Sequence, residues 1–214
     1  MTRVATSMHC GTHIDAPRHF IDGGLDMASM PLDTFYGEGV IVDLSDSVGE
    51  WDVITPEHIT SRADVRPGDI VIYYTGWSRY YEYGETPDDK RFIFHQPGGG
   101  RELAQWIVDM GLRWTGMDTC TPEHPMLNPP IRNNRPDIVR AYEERHGVDV
   151  EKAFPREDLA VMHRLPFSHG IVHVENVGGD VATVLDRRLK LCAFPWKFVG
   201  GDASICRLVG FLDD

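Results

Sequence analysis

Cysteine is scarce in this sequence. The four residues Cys10, Cys120, Cys192 and Cys206 lie far apart in 214 positions and form no CxxC pair. That argues against a zinc knuckle or a dense disulfide framework and fits a reducing compartment. No run of about 18 apolar residues occurs, so no membrane-spanning helix is encoded. Met1–His9 lacks the apolar block of a secretory signal, and the expected location is the cytoplasm. Positive charge is also short: 21 Lys and Arg stand against 33 Asp and Glu, a formal net charge of −12. Phosphate backbones repel such a surface, which argues against nucleic acid as a partner. Bound divalent cations would partly offset the deficit. With 42% hydrophobic and 25% charged residues the composition is globular, neither disordered nor fibrous.

Short β-branched runs bounded by Gly, Pro or Asp predict strands at 39–44, 69–74, 170–175 and 204–212. Helix signals lie between them. Thr55-Pro56-Glu57 offers an N-cap, a first-turn proline and an early acid. Arg101–Met110 ends at Gly111, and Pro136–His146 is closed by Gly147. A shorter helix is expected over Pro155–Met162, and the Pro- and Asn-rich stretch Pro122–Pro136 reads as a long loop. The alternation predicts one α/β domain over residues 1–214 with a mixed sheet.

The segment His9-Cys10-Gly11-Thr12-His13-Ile14-Asp15-Ala16-Pro17-Arg18-His19-Phe20 carries the chemistry. His9, His13, Asp15 and His19 all fall on odd positions, so an extended chain puts them on one face, with Cys10, Ile14 and Phe20 on the other. Gly11, Thr12 and Pro17 argue against a helix. His13 and Asp15 are about 6.6 Å apart along a strand, a comfortable chelating pair. His9 and His13 are about 13 Å apart if the strand is straight, so Gly11-Thr12 must turn the backbone before they share an ion. Imidazole and carboxylate donors suit zinc, manganese or iron(II) better than calcium or magnesium. The plainer alternative is a set of unrelated histidines in a turn. Four such groups crowded on one face without partners would be costly to bury.

The pattern His-x-Gly-Thr-His-x-Asp-x-Pro-x-His, at His9–His19, resembles the signature of the metal-dependent cyclase family, which includes bacterial kynurenine formamidase and isatin hydrolase. The resemblance extends through Thr75-Gly76-Trp77, Gly116-Met117-Asp118, and Phe194-Pro195 to Gly201-Asp202-Ala203. It implies a mixed, partly barrel-like sheet flanked by helices. It also implies a second pair of ligands, a His followed twelve residues later by a Glu, which His163 and Glu175 supply. In that reading His9, His13 and Asp15 hold one metal, Zn2+ or Mn2+, and Asp15 bridges to a second held by His163 and Glu175; relatives with a single ion leave one or two as the expected count. His19 matches the catalytic histidine. The resemblance implies a small-molecule substrate, a homo-oligomer (dimer or larger), and hydrolysis of small amides of the arylformamidase kind that serves tryptophan catabolism. Opening of a lactam or lactone, or metal binding without turnover, stands as the alternative. Family members carry several dozen residues before this motif, including an opening strand, whereas here it begins at residue 9; a shortened start is expected to leave a sheet edge exposed and the pocket partly open.

Independent signals exist for some of these positions. In a strand over 170–175, His173 and Glu175 share a face, and a carboxylate among Ile and Val needs a partner. On its own, Glu175 also reads as an edge-strand carboxylate facing water, and His163 as a helix-end histidine. The aromatic group Tyr73-Tyr74, Trp77 and Tyr80-Tyr81-Glu82-Tyr83 offers a pocket wall, with Trp77 and Tyr80 the substrate-contact candidates and core packing the alternative. Gly98-Gly99-Gly100-Arg101 lacks the Lys-Ser/Thr of a phosphate loop and reads as a flexible turn. His124 stands where formamidase-type relatives carry an acid, which bears on substrate identity; by itself it reads as a loop histidine.

Overall fold

The computed structural model describes residues 1–212. Its strands in chain order are β1 (His13–Asp15), β2 (Tyr36–Asp43), β3 (Val53–Ile54), β4 (Ile70–Tyr74), β5 (Gly98–Gly99), β6 (Trp114–Met117), β7 (Val172–Glu175), β8 (Arg187–Pro195) and β9 (Ala203–Phe211). Seven of them close into a mixed barrel in the order β1-β7-β6-β4-β2-β8-β9, and β3 and β5 form a separate two-stranded sheet. Pairing is parallel through β2, β4, β6 and β7 and antiparallel elsewhere around the ring. The helices are α1 (Pro56–Thr60), α2 (Asp89–Phe94), α3 (Arg101–Asp109), α4 (Pro129–Asn134), α5 (Pro136–His146), α6 (Val150–Ala153) and α7 (Val161–Ser168). Among the described residues no helix is long and apolar enough to cross a membrane.

Strand periodicity sorts the core into two. Ile14, Ile41, Ile72, Trp114, Val174 and Leu191 come from six barrel strands into one cluster, the barrel interior. Their strand neighbours Val40, Val42, Val71, Tyr73 and Met117 face outward and pack with Leu103, Ile107, Ile138 and Met162 of the helices. Because Ile14 and Val174 point inward, His13, Asp15, His173 and Glu175 point outward beneath α7.

Several expectations are corrected. Residues 122–136 are not an open loop: a 3-10 turn at Pro125–Leu127 leads into α4, whose N-cap Asn128 accepts a hydrogen bond from the Ile131 N–H. Here Pro and Asn start helices instead of breaking them. The helix expected over Pro155–Met162 is a 3-10 turn at Arg156–Asp158, after which α7 begins beyond Ala160, itself left-handed at φ 57°. The glycine run is not flexible. Gly98–Gly99 pairs in parallel with β3, and a Cβ on Gly98 would collide with the Glu123 carbonyl. β1 has no open edge, since it pairs with β7 on one side and β9 on the other. Glu175 is accordingly no edge residue; it is 6% exposed on a strand between β1 and β6.

Candidate metal centre

Gly11 adopts φ +60° and makes the turn that the spacing of His9 and His13 requires. The chain then enters β1, where His13 lies opposite Glu175 in register. It leaves at Ala16 for a 3-10 turn over Pro17–His19, so the strand alternation stops at Asp15. For that reason Phe20 does not face away: its ring lies 4.5 Å from that of His163 and 4.7 Å from that of His19. β7 adds His173 beside Glu175, and the first turn of α7 lowers His163 onto the same spot.

Asp15 divides these side chains into two sets. Its Oδ1 lies 3.1 Å from His9 Nδ1 and 3.4 Å from His13 Nε2. Its Oδ2 lies 3.6 Å from His163 Nε2 and 3.7 Å from His173 Nε2. Glu175 spans both sets, with Oε2 3.3 Å from His13 Nε2 and Oε1 3.5 Å from His163 Nε2. Thus His9, His13, Asp15, His163 and Glu175, predicted from two distant segments, come together. His19 sits at the rim, Nδ1 3.3 Å from Asp202 Oδ2 and Nε2 3.8 Å from Asp15 Oδ2.

The donor set fits a divalent ion. His13 Nε2, both Asp15 oxygens, His173 Nε2 and Glu175 Oε1 are buried without hydrogen-bond partners, a costly arrangement unless something else joins them. Among the described residues no Lys or Arg pairs with Asp15 or Glu175. His13 donates Nδ1–H to the Gly11 carbonyl at 2.8 Å, and His163 donates its own to Glu123 Oε1 at 2.6 Å. Both rings therefore point Nε2 inward, the orientation that outer partners impose on metal-binding histidines.

The electrostatics follow. Burial would raise Asp15, but His163, His173 and His9 hold its carboxyl well below the usual range. Glu175 is lowered in the same way, against burial and against Asp15, by His13, His163 and His173. Burial opposes charge on His13 and His163, yet Glu175 and Glu123 respectively raise them. His9 rises to about 9, chiefly through its hydrogen bond to Asp15. His19 goes the other way, lowered by burial and by its neighbours His9 and His163.

Two contributors escaped sequence reasoning. Glu123 is fully buried and accepts from both the backbone N–H and the ring of His163, while its Oε2 accepts from the Thr121 hydroxyl. The adjacent His124 points elsewhere, between the Trp51 carbonyl and the Met126 N–H. Asp202, which joins His9 and His19, belonged to a recognised motif without a role. Beside the cluster lies a cavity of about 540 Å³ walled by Phe20, Ile93, Phe94, Pro129, Pro130 and Ile131. Trp77 and Tyr80 do not line it. Trp77 is 3% exposed, its indole donates to the Phe92 carbonyl, and Tyr80 packs against its edge. Tyr74, Tyr81 and Tyr83 wall a different cavity, of about 640 Å³.

The model of the Cyclase family, described as "Putative cyclase", matches residues 2–124. A kynurenine formamidase of Erythrobacter litoralis is 29% identical over 207 residues, covering 97% of this chain and 74% of that protein. A solved structure titled a potential metal-dependent hydrolase with cyclase activity shares 25% identity and a TM-score of 0.68, over 97% of this chain and 81% of that one. Isatin hydrolase A from Labrenzia aggregata shares the fold at 20% identity, with a TM-score of 0.73 over 97% of this chain and 75% of that one.

Proposed function

Because the chain belongs to the Cyclase family, we propose that it is a metal-dependent hydrolase of small carbon–nitrogen bonds, with aryl formamides as the leading substrates. The observation that carries this reading is the convergence of unpartnered, buried nitrogen and oxygen atoms from β1 and β7, with His163 of α7 set against them. His9, His13 and Asp15 would hold one ion, and Asp15, His163 and Glu175 a second, with zinc or manganese matching the donors. A divalent ion bound there supplies a water acidified toward neutral pH and a Lewis acid for the substrate carbonyl.

The protein supplies the remaining parts. His19 has its pKa lowered by burial, so its ring is neutral at pH 7 and able to take a proton. Donating Nδ1–H to Asp202 leaves Nε2 as the basic atom, on the side of Asp15. The same ring then returns the proton to the departing nitrogen. Phe20, Phe94 and Ile93 offer flat apolar walls to an aromatic body, next to where the carbonyl must lie.

The test is turnover of N-formylkynurenine, simple anilides, lactams such as isatin, and lactones, by protein loaded with zinc or with manganese. Formamide cleavage abolished by chelation supports the reading; equal turnover by rigorously metal-free protein overturns it. His19→Ala is expected to keep its metal and lose at least about 100-fold in kcat. Preference for a lactam would move the substrate class and leave the metal centre in place.

A further inference from the structure

The ligand set implied by the family resemblance is not the whole of what this chain brings to the inner half of the centre. His173 is 2% exposed, and its Nε2 is buried with no hydrogen-bond partner. That atom lies 3.3 Å from Glu175 Oε1 and 3.7 Å from Asp15 Oδ2. His163 Nε2 stands at 3.5 and 3.6 Å from the same two oxygens. All four donor atoms fall within 4.8 Å of one another.

These spacings suit a ligand shell and not a hydrogen-bonded cluster. Nitrogen-to-oxygen hydrogen bonds center on about 2.9 Å, and the four separations are all longer. Donors placed tetrahedrally around an ion at about 2.1 Å are about 3.4 Å apart, inside the observed range of 3.3 to 3.7 Å. The His173 ring is held in this orientation by stacking on Phe167, 4.8 Å between centroids at 27°, and by an edge contact with His163 at 4.5 Å. Its backbone is fixed in β7 opposite Thr115.

We propose that His173 is a fourth protein ligand of the inner ion, so that Asp15, His163, His173 and Glu175 form a closed site that retains its metal, while the outer set His9, His13 and Asp15 stays open and exchangeable. This rests on the metal-centre reading above. Four protein ligands and no open position is the pattern of sites that hold an ion; three ligands with room for water is the pattern of sites that act on substrate. Burial runs the same way, since all four inner residues are buried, whereas the outer His9 side chain is 28% exposed.

The experiment is metal counting on holoprotein, by plasma mass spectrometry, after dialysis against a chelator of graded strength. Wild type is expected to lose one equivalent early and keep one. His9→Ala should lose only the early equivalent. His173→Leu should lose the retained one as well, with affinity reduced by at least the roughly 10- to 100-fold that loss of an outer-shell partner costs. Retention of that equivalent by His173→Leu, equal to wild type, overturns the inference and leaves the wider reading intact. Wild type that binds no transition ion at all sinks the wider reading instead. A measurement on wild type alone guards against a misfolded variant. With the one equivalent of Co2+ that is retained after chelation has emptied the outer set, the paramagnetically shifted NMR spectrum is expected to show two imidazole ring systems, from His163 and His173; one ring system overturns the proposal.

Discussion

His13 and Glu175 stand directly opposite each other across the β1–β7 pair, and their side chains meet at 3.3 Å on the outer face of the barrel. Residues 162 positions apart in the chain are thus locked at van der Waals range by backbone register alone. Glu175→Gln leaves that register untouched and removes the charge. It is expected to keep the circular dichroism of the wild type, to lose bound metal, and to lose at least about 100-fold in amide turnover. Full metal content with undiminished turnover would make the carboxylate a bystander.

Glu123 holds the ring and the backbone of His163 together and so positions that ring. Glu123→Ala frees that ring and is expected to weaken metal binding about 10- to 100-fold. Glu123→Gln keeps an acceptor oxygen and should restore part of the affinity. Competition against a chromophoric chelator measures both, and equal affinity in all three proteins would confine Glu123 to a packing role.

An ion that binds only the folded chain stabilises it by mass action. At a free concentration 100 times the Kd the gain is about 2.7 kcal/mol. For a domain of this size that corresponds to a rise in Tm of about 5–10 °C. Differential scanning calorimetry of chelated and reloaded protein checks it, with magnesium as the control expected to give no shift.

His124 couples stability to pH. Burial lowers its pKa to about 4, against 6.5 when exposed, and outweighs the hydrogen bond from Nε2–H to the Trp51 carbonyl, which favours the charged ring; Nδ1 in turn accepts from the Met126 N–H. Between pH 6.5 and 4 the unfolded chain therefore binds more protons than the folded one, so stability falls as pH falls through that window. The full loss is on the order of 3 kcal/mol. Urea titrations of metal-free protein at pH 7 and pH 4.5 should show a steeper drop for wild type than for His124→Gln.

Much of this architecture is legible in the sequence because the signals are local. Pro136 and Gly147 bracket α5, with Gly147 left-handed at φ 65° as a C-cap demands. Gly11 was required to turn by the His9–His13 distance alone, and it does. The losses occur where a residue's meaning depends on a distant neighbour. Gly98 reads as slack until Glu123 is seen against it, and Pro129 reads as a breaker until Asn128 is seen capping the turn that follows. His173 was placed on the correct face, but only the approach of α7 and β1 shows that its nitrogen has no partner.

The strand that carries His13 and Asp15 is three residues long and pairs only with β7 and β9, both from the last fifth of the chain. A stretch that short has no stability of its own, and its loop-closure cost spans nearly the whole polypeptide. During synthesis His13 and Asp15 emerge early and wait, unanchored, until Ala203 and its successors arrive. Any ion the site takes would therefore be a late guest of a finished barrel, and a chain ended ahead of Ala203 is expected to hold no stoichiometric zinc.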